Sequence, residues 1–377
     1  LSDAVREGGP IVTNRFRVII AGGKTGGHLF PGIAVAQTLQ RREPAVRILF
    51  VGTATPFETK TLSAYGFDHT AIFSRPLKGR SLLQKTTGTA AILVSLIQSL
   101  WTVWRFKPDF VLGVGGYSSF AVVLAAWILR IPTAIQEQNA FPGITNRMLA
   151  RVTPVIFTTF DSTRGFSENP KTQVTGNPVR EQGPVVQTPE TGVADIASTD
   201  FVLLVTGGSQ GASSINRAVM EMAARMTDFK DLFILFQTGI GHDTEIRETL
   251  QSLGIRTRVQ PFFPDMPALM ERSDLVICRA GAGTLSELAV KGVPAILVPY
   301  PHAADDHQTH NAESVAGHGA ARVVADRELS GNGLYRLVMD LKSDPPQLKR
   351  MAEAMAKLAK PDAADRIAAH ILQAKES

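Results

Sequence analysis

The sequence predicts an α/β protein built as two similar parallel-sheet, Rossmann-like domains that face one another across a cleft. Three observations carry this. Short runs that are apolar on both faces alternate with helical patterns along all 377 residues, as buried parallel strands and their crossover helices do. A Gly-rich turn follows an early run in each half, at Gly22 and again at Gly207, 185 positions apart. At roughly 150 residues per domain the length fits two domains, or three.

In chain order, Arg17–Ala21 reads as the first strand, followed by the Gly-rich turn and a helix from about Pro31 to Arg41. Pro31 suits a first helical turn. Residues 47–51, 110–113, 133–136 and 155–158 are further strands. The pattern restarts after Gly176-Asn177-Pro178-Val179-Arg180. Residues 201–206 form a strand, then come a Gly-rich turn and a helix from about Ser213 to Met226. Residues 232–237, 258–261, 275–279 and 295–299 continue the alternation. The Ala-rich tail after Pro361 is helical. The expected division is residues 1–177 and residues 178–357, with residues 358–377 crossing back onto the first. Ligands of such sheets bind beyond the carboxyl ends of the strands.

Composition narrows the function classes. The chain is 44% hydrophobic and 19% charged, so it is not disordered by composition. A single cysteine, Cys278, excludes a disulfide scaffold and a cysteine-built zinc site. The first residues, LSDAVREGGP, do not have the form of a signal peptide. Two uncharged stretches, 86–104 and 110–129, approach bilayer-spanning length, but their Gly, Ser, Thr and Gln content reads as non-spanning. Charge is uneven: residues 1–178 hold 19 Lys and Arg against 9 Asp and Glu, a net of +10, and the remainder is −5. The first half therefore suits an anionic partner, a phosphate ligand or a membrane face. No arginine-rich run or aromatic platform favours nucleic acid.

Candidate chemistry gathers at the turns. Gly22-Gly23-Lys24-Thr25-Gly26-Gly27-His28, Gly113-Val114-Gly115-Gly116-Tyr117 and Thr206-Gly207-Gly208-Ser209-Gln210-Gly211 all follow strands. Glycine lets backbone N–H groups approach a phosphate at a helix N-terminus. A bare tight turn fits each one alone. Three at strand ends favour a phosphate-bearing or sugar ligand. None matches the dinucleotide or Walker fingerprint. His28 lies where loop enters helix, and the helix dipole there disfavours its protonated form, as a general base needs. Ala280–Glu287 places Glu287 one turn into a helix, where a carboxylate suits a ribose diol or simply the dipole. His302, His307 and His310 cluster near Asp305 and Asp306 without a metal-binding run, and no D-x-D occurs, so no metal or other cofactor is expected. Ala90–Trp104, flanked by Arg75, Lys78, Arg80, Lys85, Arg105 and Lys107, suits a membrane surface or a core helix.

These motifs, taken in order, resemble one family closely. Gly23–His28 with Leu29-Phe30-Pro31-Gly32, then Gly113–Tyr117, Glu137-Gln138-Asn139, Gly176–Arg180, Gly207–Ala212, Ala280–Glu287 and Asp306-His307-Gln308 with Asn311 are similar to the MurG family of peptidoglycan N-acetylglucosaminyltransferases. The resemblance runs from about Arg17 to Ala374. It implies a GT-B fold and inverting transfer of N-acetylglucosamine from UDP-N-acetylglucosamine to the C4 hydroxyl of the muramoyl sugar of lipid I, giving lipid II and UDP. It implies a donor site of Arg180, Ser209, the backbone near Phe263, Ala282, Gly283, Thr284, Leu285, Ser286, Glu287 and Gln308, with Glu287 on the ribose and Asn311 facing the sugar. Thr25, Gly26, Gly27 and Asn139 match cleft residues; Tyr117 and Glu137 lie in acceptor-side motifs. It further implies a peripheral protein on the cytoplasmic face of the plasma membrane, against anionic lipid. Lys24 departs from the glycine common at its position.

The expected mechanism is one displacement, with His28 or a carboxylate such as Glu137 removing the acceptor proton, and helix N-termini with Arg180 stabilising the leaving UDP in place of a metal. The rival readings are a UDP-sugar epimerase, a nicotinamide oxidoreductase, disfavoured by the first turn, and a non-catalytic nucleotide-sugar sensor.

Overall fold

The structure is a computed structural model that describes residues 15–53, 55–73, 82–179, 196–208, 210–226 and 231–375, with only the backbone course given for 82–91. The first half forms strands β1 (Arg17–Ala21), β2 (Arg47–Gly52), β3 (Asp68–Ala71), β4 (Phe110–Gly113), β5 (Thr133–Glu137), β6 (Val155–Thr158) and β7 (Thr172–Val174). They make a seven-stranded sheet, order β3-β2-β1-β4-β5-β6-β7, parallel throughout. The second half forms β8 (Phe201–Thr206), β9 (Leu232–Gln237), β10 (Arg256–Gln260), β11 (Leu275–Cys278), β12 (Ala295–Leu297) and β13 (Ala321–Val323). This sheet, order β10-β9-β8-β11-β12-β13, is also wholly parallel. Each sheet runs outward from its first strand in both directions, so each has a switch point where β1 meets β4 and where β8 meets β11. The internal repeat of the sequence is thus a repeat of topology.

Burial explains the strand pattern. Ile19, Ile20, Leu112 and Ile135 in the first sheet, and Leu203, Leu204, Leu235 and Ile277 in the second, are fully buried. Both faces are covered, which is why these strands read as continuous apolar runs. The edge strands β3, β7 and β13 are short and polar, DHTA, TQV and ARV. They lack that signal, and the sequence reading passes over them.

Helices α1 (Gly26–Arg42), α2 (Pro56–Ala64), α3 (Leu82–Phe106), α4 (Tyr117–Ile128) and α5 (Ile144–Leu149) cover the first sheet. The second carries α6 (Ser213–Ala223), α7 (Asp243–Ser252), α8 (Met266–Glu271), α9 (Ala282–Lys291), α10 (His307–Gly317), α11 (Gly331–Lys342) and α12 (Pro345–Lys357). The last helix, α13 (Ala363–Gln373), packs against α1 and buries Ile367, Ala368 and Ile371 in the core of the first sheet. Arg366 donates to Val174 O at 2.9 Å. The returning segment also passes tightly over Gly176: a Cβ there would meet the Lys360 side chain at 2.3 Å.

One boundary differs in a way that matters. The sequence predicts the first helix from about Pro31, yet α1 begins at Gly26. Pro31 sits inside the helix, where it donates no hydrogen bond to the turn before it. Pro marks a helix start only statistically, and here the backbone N–H groups of the glycine run form the first turn instead. His28 is therefore the third residue of α1 and belongs to its N-terminal turn.

Candidate active site

Four helices open at the carboxyl ends of the two central strand pairs: α1 after β1, α4 after β4, α6 after β8 and α9 after β11. Their N-caps are Thr25, Gly116, Ala212 and Gly281; none makes a side-chain cap, and none of the four helices has an acidic residue in its first turn. Helices α2, α11 and α12 are capped by Thr55, Ser330 and Asp344. Helices α5, α8 and α10 are likewise uncapped and without a first-turn acid, so what sets the four apart is their place at the central strand ends. Uncapped first-turn N–H groups leave a partial positive charge with nothing local to answer it, the arrangement that receives anions. α1 and α9 come into contact across the two halves.

The first loop is held from below by Glu58. Its carboxylate accepts from Lys24 N at 2.8 Å, Thr53 Oγ1 at 2.6 Å and Thr55 N at 3.0 Å, and Thr55 completes the reciprocal capping box of α2. Burial pushes the Glu58 carboxyl upward, but the donors from Thr53, Thr55 and Lys24 outweigh it and hold it below the ordinary carboxylate range. A Cβ on Gly23 would fall 2.0 Å from Glu58 Oε1, so the loop has no room for a side chain there. Lys24 adopts φ +73°, the left-handed region that favours glycine. The T-x-x-E spacing at Thr55–Glu58 is the signal of this box in the sequence.

His28 is partly exposed, with Nδ1 buried and without a partner in hydrogen-bond geometry. Burial is the main influence lowering its pKa below 6.5. Gln138 and the Val114 carbonyl lie close enough to favour the charged ring, and His307, across the cleft, adds to the lowering. The imidazole is neutral at neutral pH. Thr25 and Gly27 are exposed, Gly26 and Tyr117 half-buried.

Glu137 ends β5 and is 1% exposed. Its Oε1 accepts from Asn139 N at 3.0 Å and Asn139 Nδ2 at 3.2 Å; its Oε2 accepts from Gly143 N at 3.1 Å and Asn146 Nδ2 at 2.9 Å. Burial raises its pKa against these four donors. The carboxylate is spent on shaping the 138–143 loop and presents no surface to an acceptor hydroxyl. That geometry differs from the expectation of a proton-accepting Glu137.

Asn311 differs from expectation in a similar way. It is fully buried, accepts from Ala140 N at 2.8 Å, and donates to Asn139 Oδ1 at 3.1 Å and Ala280 O at 3.1 Å. In this arrangement its amide ties the two halves together instead of facing a sugar. Phe141 stacks on His310 at 5.2 Å and Arg147 pairs with Asp305 at 3.6 Å along the same seam.

On the second side, Ala282, Gly283 and Thr284 form the open first turn of α9, and no atom comes within 4 Å of a Cβ placed on Gly283. Leu285 is buried, Ser286 bonds back to Ala282 O at 2.9 Å, and Glu287 is half-buried on the same helix. Gln308 accepts from Tyr300 N at 3.0 Å. Phe263 is buried and its N–H donates to Gln237 Oε1 at 2.9 Å. Arg180 and Ser209 lie outside the described residues. Sequence reasoning missed Arg279, which binds Asp326 at 2.6 Å, Ser214 at 2.9 Å and the carbonyls of Val298 and Pro299 at 3.2 Å. It fixes the start of α6 against the end of β12, and no local motif announces it. A cavity of about 320 Å³ lies by the linker, lined by Asn177, Leu285, Ser286 and Lys357 among others, away from His28.

Twin parallel sheets with uncapped helix ends at their central strands suit a phosphate-bearing ligand, and the family models give the class as a glycosyltransferase. Residues 18–158 match the glycosyltransferase family 28 N-terminal domain and residues 202–367 the family 28 C-terminal domain; the chain belongs to glycosyltransferase family 28. It is 41% identical over 359 residues, 93% of this chain and 91% of the relative, to the UDP-N-acetylglucosamine–N-acetylmuramyl-(pentapeptide) pyrophosphoryl-undecaprenol N-acetylglucosamine transferase of Myxococcus xanthus. The enzyme of that name from Geobacter metallireducens is 41% identical, covering 95% of this chain and 99% of its own. The crystal structure of Acinetobacter baumannii MurG superposes with a TM-score of 0.77 at 29% identity, over 95% of this chain and 99% of that one. A UDP-GlcNAc 2-epimerase from Neisseria meningitidis shares the fold, with a TM-score of 0.65 at 16% identity, over 95% of this chain and 99% of that one.

Proposed function

We propose that this protein is the N-acetylglucosaminyltransferase that converts lipid I and UDP-N-acetylglucosamine to lipid II and UDP. The observation that carries the chemistry is the place of His28, in the first turn of α1, a helix that meets α9 across the two halves; burial, which lowers its pKa, supports a neutral ring. His28 accepts the proton of the muramoyl C4 hydroxyl as that oxygen attacks the anomeric carbon. The bond from that carbon to the diphosphate oxygen breaks on the opposite face, so configuration inverts and UDP departs with the electron pair. The first turn of α9 and Arg180 stabilise the growing negative charge. Glu287 takes the ribose hydroxyls; Ser209, Gln308 and the backbone at Phe263 complete the donor site. Thr25, Gly26, Gly27, Tyr117 and Asn139 form the acceptor wall, with Glu137 shaping it. The division of labour falls at residue 177, with residues 358–377 returned to the first unit.

The acceptor is lipid-linked, and the first unit offers a surface for the bilayer. Leu93, Ile97, Trp101 and Trp104 on α3 and Trp127 and Ile128 at the end of α4 are exposed, beside Arg105, Lys107 and Arg130. No helix among the described residues is long and apolar enough to cross a membrane. The protein docks peripherally on the cytoplasmic leaflet, where each nearby basic residue contributes about 1 kcal/mol toward anionic lipid. Arg75, Lys78 and Arg80 lie outside the described residues, and the side chain of Lys85 is not described. Vesicle sedimentation checks this: binding rises with anionic lipid and falls when Trp101 and Trp104 become Ser.

The decisive test of the reaction is UDP release with and without a lipid I analogue, in excess EDTA. Acceptor-dependent release that survives chelation supports the reading. Release without acceptor, with epimerised donor, overturns it.

A further inference from the structure

A line of buried carboxamides runs under His28. Gln138 is 2% exposed; its Nε2 donates to Val114 O at 2.8 Å and to Gln136 Oε1 at 2.6 Å. Gln136 Nε2 donates in turn to Asn177 Oδ1 at 3.1 Å. A main-chain carbonyl accepts only, so Val114 O decides which end of the Gln138 amide is nitrogen. Oε1 is therefore turned the other way. It is buried and has no partner, and so is His28 Nδ1. The two lie on one side of Gly115: a Cβ there would sit 2.8 Å from His28 Nδ1 and 3.6 Å from Gln138 Oε1. A buried polar atom left unpaired costs about 1–3 kcal/mol. An Nδ1–H directed at Oε1 relieves both atoms together. An Nδ1 lone pair there would set two acceptors face to face.

We infer that Gln138 is a positioning residue that holds His28 as the Nδ1–H tautomer and so leaves the Nε2 lone pair for the acceptor hydroxyl. The catalytic consequence rests on the base role proposed for His28; the tautomer assignment rests on the amide chain alone. Gly115 belongs to the device, because any side chain there would displace the ring from the amide.

The test is a long-range proton–nitrogen NMR correlation on full-length protein labelled with ¹⁵N-histidine, with His28 assigned by its loss in His28→Gln. At neutral pH the wild-type spectrum should show a protonated, pyrrole-type Nδ1 and a pyridine-type Nε2. Gln138→Met keeps the volume and removes the acceptor oxygen. It should yield a mixed tautomer and a kcat lower by about 10- to 100-fold, the usual loss for an orienting partner, with UDP affinity unchanged. A protonated Nε2 in the wild type overturns the inference, and that spectrum decides even if the variant does not fold. So does an unaltered Nδ1–H in folded Gln138→Met. If the tautomer is as stated but His28→Gln transfers at the wild-type rate, the base role fails and the positioning role of Gln138 stands.

Discussion

The two Gly-rich loops occupy equivalent places in equivalent sheets, yet they are finished differently. In the second, Gly211 is pressed on main chain: a Cβ there would meet Thr238 O at 2.3 Å. Asn216 Nδ2 donates to Thr238 O at 2.9 Å, and Arg279 ties Ser214 to Asp326. Beside the first, Gly115 of the neighbouring β4–α4 turn faces the His28 ring, and both His28 Nδ1 and Gln138 Oε1 are left without a partner. The second loop is held by main-chain packing and by the Arg279 cluster, although Asn216 Oδ1 is itself buried without a partner; this suits the donor side proposed above. The first keeps polar atoms in reserve next to His28, the base proposed for the transfer. Perturbed or unpaired groups concentrate where chemistry happens.

Removing the reserve should cost most. His28→Ala is expected to lower transfer by about 10²- to 10⁴-fold, the range of general-base catalysis, with UDP affinity unchanged in calorimetry. Because the ring's pKa is lowered, the acid limb of the wild-type kcat/KM profile should fall below pH 6.5 and vanish in the variant. A donor-binding loss of similar size would erase the distinction between the loops.

Breaking the lock should cost stability instead. Arg279→Met removes the guanidinium from Asp326, which keeps Ser214 as a donor at 2.6 Å, and is expected to destabilise by about 2 kcal/mol, read by urea unfolding. The glycines sharpen the contrast. Gly211→Ala forces a Cβ onto main chain at φ +73°, and should cost about 2 kcal/mol of stability. Gly115→Ala, also at positive φ, meets a movable ring, so its larger effect should be on kcat.

Beneath the first loop, Glu58→Gln should cost about 2 kcal/mol at pH 7, since hydrogen bonds to a charged group are being lost. The sign follows from the lowered folded pKa: the stabilisation is complete above the ordinary carboxylate range and fades as pH falls through the lower folded value. The variant should therefore converge with the wild type in melts at acid pH. The smallest expected effect is that of Glu287→Ala, a fall of about 10-fold in donor affinity, about 1.4 kcal/mol, with acceptor KM unaltered.

The sequence by itself determined the two-sheet architecture, because a strand buried on both faces has to be apolar throughout and shows itself in one dimension. It also located the Gly-rich turns, whose backbone conformations require glycine, and His28 beside one of them. The polar edge strands β3, β7 and β13 were illegible, since their partners and not their own residues make them strands. Tertiary structure alone decided what each polar side chain does. Glu137 and Asn311 sit in motifs that suggest contact with substrate. Burial and donors from Asn139, Gly143, Asn146 and Ala140 turn them to shaping the loop and joining the halves. Gln138 is only the middle of a motif until Val114, Gln136 and Gly115 surround it. Periodicity records which face of an element is covered. The partner of a buried amide is set by residues far away in the chain, and only the packed fold brings them within hydrogen-bond reach.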